Sequence, residues 1–426
     1  VAKQQFQSVR GMYDLLPELS VRFDYLSSTF SKLAQNSGYG HIEPPLVEDT
    51  AVFVRAVGTE TDVVSKEMYT FTDRSDHSIT LRPEATAGVV RAFIEHGMTS
   101  LPQPVKLFYF GPMFRYDRPQ AGRQRQFFQY GIEAFGENSP SIDAQVITLA
   151  MRFFRQVGLR NITLQINSIG DSVCRPKYKK ALVEYLESNI KQLADEDKER
   201  LKTNPMRVLD SKEASTQVII ADAPQLLNFL CEDCQKHFAG VLEYLDSLGI
   251  GYELNPQLVR GLDYYSRTVF EFYGEREGAQ ASLGGGGRYD GLVELLGGVP
   301  TPAVGFALGA ERIALEMVEA GVGLPDLAPK RVYVASLGEP ARLAAFALIE
   351  ELLDNNVAAS GAVDRDGIGS QLERANKLGV PYALIIGQKE VQEGTVLLRD
   401  MVSGAQEEIK LDLVTAELRK RFEIVD

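Results

Sequence analysis

The chain has 426 residues, enough for about two or three domains and at least one full-sized core. Hydrophobic residues make up 44% and charged residues 24%, the balance of a globular protein, which excludes a wholly disordered or fibrous chain. With 45 Lys and Arg against 58 Asp and Glu the formal net charge is −13, so any grip on nucleic acid must come from a local basic patch on an acidic body.

In chain order, Val1 to Leu16 carries no signal pattern, and no apolar run approaches the ~18 residues of a membrane span. Three cysteines cannot build a disulfide framework, so a cytoplasmic setting without membrane contact is the expectation. Glu18 to Gly38 reads as an amphipathic helix, with Leu19, Phe23, Leu26, Phe30 and Leu33 at steps of four and three. Ser78 to Arg82 reads as a strand, and Pro83 is placed to open a helix with Glu84 in its first turn. Val105 to Tyr116 and Gln126 to Phe135 predict a hairpin with a long polar loop. From about 172 to 250 the chain becomes rich in Lys, Glu, Asp and Leu at helical spacing, a helical insertion. Strand-like sequence returns over Gln257 to Tyr273 and again over Ala303 to Leu308, which runs into a helix from Ala310 to Glu319. After a linker, Gly321 to Pro329, the strands Arg331 to Leu337, Val357 to Val363 and Tyr382 to Ile386 alternate with helices and predict a small α/β domain. The expected division is a core over 1–325 and a second domain over 331–426.

Several features could carry chemistry. Between Lys106 and Gln129, Lys106, Arg115, Arg118, Arg123 and Arg125 stand against Asp117 alone, a local balance of 5 − 1 = +4. Planar guanidinium groups suit a nucleotide's phosphates, although a solvated hairpin tip has the same composition. Arg260 lies within apolar sequence, where its charge calls for a partner or ligand. Strand alternation would set Arg260, Leu262 and Tyr264 on one face and Tyr265 on the other. Gly284 to Gly287 is neither a Walker loop nor a dinucleotide fingerprint, and either close approach of a ligand or a tight bend accounts for it. Arg312 near a helix N-terminus calls for an anion, with Glu311 the simple alternative. The run Cys231-Glu232-Asp233-Cys234-Gln235-Lys236-His237 has a metal-like look. Cys174 and the other histidines show no matching spacing, so no metal is expected there and the thiols read as incidental to a helix.

These pieces, in this order, resemble the histidyl-tRNA synthetase family of class II aminoacyl-tRNA synthetases over essentially the whole chain. Pro45-Leu46-Val47-Glu48 is similar to class II motif 1, Phe114-Arg115 through Glu133 to motif 2, and Gly305 to Arg312 to motif 3. Leu258 to Phe270, Leu283 to Gly291, Leu81 to Thr86 and Lys66 to Phe71 carry the histidine-specific resemblance. The fold it implies is an antiparallel-sheet catalytic core with a helical insertion and a C-terminal α/β anticodon-binding domain, an α/β and α+β multidomain chain. The activity it implies is ATP-dependent activation of L-histidine and transfer to tRNA(His), with Mg2+ and as a homodimer. Residues matching Glu84, Thr86 and Gln129 then hold the substrate's α-amino end, and those matching Glu133, Tyr264 and Tyr265 surround the imidazole. Arg115 and Arg260 clamp the α-phosphate and the substrate carboxylate, while Arg123 and Arg312 hold the pyrophosphate end. Where the family usually has His, this chain has Phe128. The alternative is a synthetase-like regulatory subunit of ATP phosphoribosyltransferase, which typically lacks parts of these signatures and the anticodon domain. Residues 331–426 are present here, with 11 basic and 16 acidic side chains and a balance of 11 − 16 = −5.

Overall fold

The computed structural model describes residues 6–59, 61–275, 282–325, 330–361 and 367–424. They form two compact units, Val1–Leu324 and Pro325–Asp426.

In the first unit, helix α1 (Pro17–Asn36) buries Phe23, Leu26, Phe30, Leu33 and Ala34 along one stripe. Helix α2 (Thr86–Glu95) starts later than Pro83 would suggest. Glu84 stands outside it, and its carboxylate accepts from the Thr86 and Ala87 amides at 2.7 and 2.9 Å. The side chain therefore satisfies the free N–H groups that a helix start leaves over. Strands β1 (Val105–Phe114) and β2 (Gln126–Phe135) pair antiparallel along their full length, with Arg115 to Arg125 as the loop. Helix α3 (Pro140–Gln156) and strand β3 (Thr163–Ser168) follow. The insertion contains α4 (Arg175–Ser188), α5 (Asp195–Thr203), α6 (Ala214–Ala221) and α7 (Glu232–Ser247). Strands β4 (Ser266–Tyr273), β5 (Ser282–Arg288) and β6 (Ala303–Gly309) complete the sheet, and α8 (Ala310–Glu319) leaves its end directly.

The resulting order is β1-β2-β6-β5-β4-β3, antiparallel throughout, with short parallel strands Gly40–His41 and Glu253–Leu254 at the two edges. α1, α3, α7 and α8 contribute to the apolar core on one side of this sheet, around Phe30, Phe108, Tyr130, Phe153 and Phe306. Gly284 to Gly287 is strand and not a bend. A Cβ on Gly286 would fall 2.0 Å from the Gly305 carbonyl, and one on Gly285 would meet Arg260 Nη1 at 2.9 Å. The glycines thus let neighbouring backbone, and the Arg260 guanidinium, approach closely.

One expectation fails here. Residues 257–265 are irregular, and strand begins only at Ser266. Leu258, Val259 and Leu262 look strand-like in sequence but pack individually against a second core, so the alternation argued for Arg260, Tyr264 and Tyr265 does not operate.

The second unit is a five-stranded mixed sheet. Strands β7 (Val332–Ser336), β8 (Ala359–Gly361) and β9 (Tyr382–Ile386) are parallel in the order β8-β7-β9, and β10 (Thr395–Asp400) and β11 (Gln406–Lys410) extend it antiparallel. That final hairpin was not anticipated. Part of the predicted linker (326–329) and of the predicted strand ending at Val363 lies outside the described residues. Among the described residues, no helix is long and apolar enough to cross a membrane.

Candidate active site

On the first unit a cavity of about 520 Å³ opens over the sheet. Glu84, Thr86, Arg115, Arg123, Gln129, Glu133, Arg260, Tyr264, Tyr265 and Arg312 all line it. Insertion residues Arg200, Arg207 and Lys212 line it as well, so the helical insertion supplies part of its wall.

One end is a buried polar pocket. Glu133, on β2, is 1% exposed. Its Oε1 accepts from the Thr86 hydroxyl at 2.7 Å and lies 3.5 Å from the Tyr109 hydroxyl, while Oε2 accepts from Tyr289. Burial pushes this carboxyl up to about 8, against the opposing effect of the Tyr289 and Thr86 hydrogen bonds. Burial also raises Glu84, opposed by its two backbone donors. Tyr264 packs on Tyr265 with ring centroids 4.6 Å apart and edge-on to Tyr289 at 5.7 Å. Gln129 Oε1 is buried and has no hydrogen-bond partner among the described residues.

The other end is cationic. Arg115 donates from Nε to the Pro83 carbonyl at 2.8 Å and lies 5.3 Å from the Phe127 ring centroid. Arg123 pairs with Asp117 at 3.2 Å. Arg312 donates from Nη1 to the Ser282 carbonyl at 2.6 Å and from Nε to Gly122 at 3.3 Å. Burial, and then the charges of Arg123 and Arg115, hold Arg312 below the ordinary arginine range. A cation disfavoured by neighbouring cations marks a place where an anion is favoured. Glu311 is not the partner of Arg312. It accepts from the Tyr13 hydroxyl at 2.8 Å and from the Phe128 amide at 3.0 Å, and burial raises it to about 6.

Arg260 stands between the two ends. Its Nη1 is 3.2 Å from Glu271 Oε1, and its Nε is buried without a partner among the described residues. Burial alone would lower its pKa, but the Glu271 charge more than reverses this, so it stays a cation.

Of the hairpin arginines, Arg118 and Arg125 lie outside the cavity. Arg118 is exposed, and Arg125 stacks 3.7 Å from the Tyr116 ring centroid. The Phe128 ring turns to the core, against Phe23 and Phe110. The substitution therefore sits on the face of β2 away from the polar pocket. Tyr109, Tyr289 and Glu271 escaped the reading from sequence. Glu271 was signalled by its place as the one charge in Val269-Phe270-Glu271-Phe272, and Tyr289 by its place in the glycine-rich signature.

An antiparallel sheet that carries a cationic nucleotide-sized hollow on its hairpin and last strand-to-helix turn, continuous with a buried polar pocket, defines a class II aminoacyl-tRNA synthetase. The family model for histidyl-tRNA synthetase matches residues 11–313, and that for an anticodon binding domain matches residues 331–421. A histidine–tRNA ligase from Pelotomaculum thermopropionicum is 48% identical over 413 residues, covering 97% of each chain. Apo histidyl-tRNA synthetase from S. aureus superposes with a TM-score of 0.83 at 37% identity, covering 97% of this chain and 100% of that one. An ATP phosphoribosyltransferase regulatory subunit/histidyl-tRNA synthetase from Bacillus halodurans matches with a TM-score of 0.65 at 22% identity, over 90% and 99% of the two chains, a likeness of fold alone. The chain belongs to the histidyl-tRNA synthetase family.

Proposed function

We propose that the protein is a histidine–tRNA ligase that makes histidyl-adenylate from L-histidine and ATP and then esterifies tRNA(His). The observation that carries this is the single cavity in which the buried Glu133 pocket and the arginines meet. Glu133 and the tyrosine hydroxyls serve the two imidazole nitrogens, since a carboxyl and a phenol can each donate or accept as the ring requires. An apolar side chain of similar size would leave those groups unpaired and is rejected. Glu84, Thr86 and Gln129 hold the α-amino end, and the unpaired Gln129 Oε1 supports this placement.

The substrate carboxylate attacks the α-phosphorus and the bond to pyrophosphate breaks, so no side-chain nucleophile is needed. Arg115 and Arg260 stabilise charge that builds on the α-phosphate oxygens. Arg123 and Arg312 hold the departing pyrophosphate. ATP enters as its Mg2+ complex, with the ion carried on phosphate oxygens, the usual way Mg2+ reaches nucleotide sites. In the second step the terminal ribose hydroxyl of tRNA attacks the acyl carbon and AMP leaves. The protein works in the cytoplasm as a homodimer built on the motif 1 stretch, where Leu46 and Val47 are exposed apolar side chains. Residues 331–421 read the anticodon end, with affinity that falls as salt rises.

The test is exchange of labelled pyrophosphate into ATP. Exchange is expected with L-histidine and not with the other amino acids. Histidine binding without exchange, together with activation of a phosphoribosyltransferase, would favour the regulatory reading.

A further inference from the structure

Away from the cavity, the fold brings Asp171 and Cys174 to the Cys231-x-x-Cys234 pair, a meeting across the chain that the sequence reading did not expect. Asp171 Oδ, Cys174 Sγ, Cys231 Sγ and Cys234 Sγ all lie within 4.8 Å of one another. From this geometry we infer a structural zinc site with three thiolates and one carboxylate as ligands.

The donor set is the kind zinc prefers, mainly thiolate and four in number. It comes as two matching arms, Asp171-x-x-Cys174 and Cys231-x-x-Cys234. Cys174 immediately precedes α4 and Cys231 immediately precedes α7, so two helix starts converge on the cluster. The turn before Cys174 is tight: Gly170 has φ +61, and a Cβ there would press on Cys174 Cβ at 2.9 Å. Asp171 Oδ1 accepts from the Val173 amide at 2.9 Å, which aims the carboxylate inward. The Cys231 amide donates to Cys174 Sγ at 3.1 Å, an N–H···S contact of the sort that supports a ligating sulfur. Tetrahedral zinc with bonds of about 2.0–2.3 Å needs only a modest contraction of this cluster.

Charge supports the assignment. Three thiolates, one carboxylate and Zn2+ sum to −4 + 2 = −2. Arg175 follows Cys174 directly, and Arg267 Nη2 stands 3.9 Å from Asp171 Oδ2. The two guanidinium groups offset the two negative charges. His237, the third residue after Cys234, is no ligand. It is buried against Asp143, which also binds Arg288.

The site joins the insertion to the sheet. Its ligands come from segments 57 residues apart, and a clip across so long a loop removes considerable freedom from the unfolded chain. The ligand turn is bonded on both sides to the segment carrying Tyr264 and Tyr265. Ile169 N donates to the Arg267 carbonyl and Arg267 N to the Gly170 carbonyl, each at 2.8 Å. Arg175 donates to the Ile169 carbonyl at 3.1 Å and to the Tyr265 carbonyl. Zinc would therefore act as a positioning element for the tyrosines and for the insertion wall.

The experiment is metal analysis of the full-length chain purified without chelator, followed by cobalt substitution of the same protein. About one zinc per chain is expected, and cobalt should give the strong visible absorption of a tetrahedral thiolate site. Cys231→Ser should abolish that absorption. Asp171→Ala should weaken zinc binding by more than about tenfold, while Asp171→Cys should retain it. Zinc well below stoichiometric after incubation with the ion, no cobalt band, and three thiols that titrate freely or a Cys231–Cys234 disulfide would overturn the assignment. Because the wild-type cobalt spectrum decides the matter, a variant that fails to fold does not obscure the result.

Discussion

Arg260→Ala is expected to slow adenylate formation by about 10²–10³-fold while changing histidine affinity by less than about tenfold. Arg260 lies between the polar pocket and the arginines and carries a buried Nε with no partner among the described residues. A donor left unpaired in a largely enclosed site is costly unless substrate supplies the acceptor. The charge that best satisfies it develops on the α-phosphate oxygens as the carboxylate attacks, so the contact strengthens in the transition state. Glu271 holds the guanidinium in place and is itself kept low by it despite burial. The variant therefore leaves the Glu271 carboxylate without its cation, held only by the Tyr273 and Ser282 hydroxyls, and Glu271→Gln separates this effect from chemistry. That second variant should cost less rate, because the guanidinium remains. Rapid-quench measurement of adenylate formation beside a calorimetric histidine titration reads both quantities. Equal losses in rate and affinity would remove Arg260 from the chemical step.

Glu133→Gln is expected to weaken histidine binding by about 10–100-fold, the loss typical of one strong hydrogen bond to a charge-capable partner. The pH dependence carries more information. With the Glu133 carboxyl raised to about 8, the free pocket is protonated at neutral pH. It meets a neutral imidazole with one proton to share between them. As pH rises through about 8 the free pocket loses that proton, and binding must recover it, so wild-type affinity falls by about tenfold per pH unit. Glutamine has no such proton to lose. The ratio of wild-type to variant affinity should be constant below pH about 8 and decline above it. Titration of the histidine amino group acts on both proteins and cancels in the ratio. A ratio flat across this range would mean that Glu133 is already ionised in the free pocket. The same raised pKa has a cost in folding: an unfolded Glu133 releases its proton near the ordinary carboxyl range, so this residue's contribution to stability becomes less favourable as pH rises from about 4.5 to about 8.

Much of the scaffold was legible because it is long and periodic. The α1 stripe, the hairpin Val105–Phe114 with Gln126–Phe135, and the step from strand Ala303–Gly309 into helix Ala310–Glu319 could all be placed from local pattern. Local pattern failed at 257–265, where scattered apolar residues imitate a strand although each packs separately. It also failed at Pro83-Glu84, where tertiary bonds decide. Arg115 holds the Pro83 carbonyl and Glu84 caps the helix from outside, which moves its start to Thr86. The cavity gathers residues that the resemblance named, but their partners were hidden. Tyr289 reaches Glu133 across 156 positions, and Cys231 reaches Cys174 across 57. Nor could sequence reveal that burial raises Glu133, because that depends on what surrounds it and not on its neighbours in the chain.

The central claim is that the polar pocket and the arginines form one site that holds an amino acid and a nucleotide at once. Calorimetric titration with a stable sulfamoyl analogue of histidyl-adenylate tests it most directly, against separate titrations with histidine and with ATP. A single molecule spanning both halves should bind at least about 10²-fold more tightly than either substrate alone. An analogue that binds no better than histidine or ATP would mean that the two halves do not work as one.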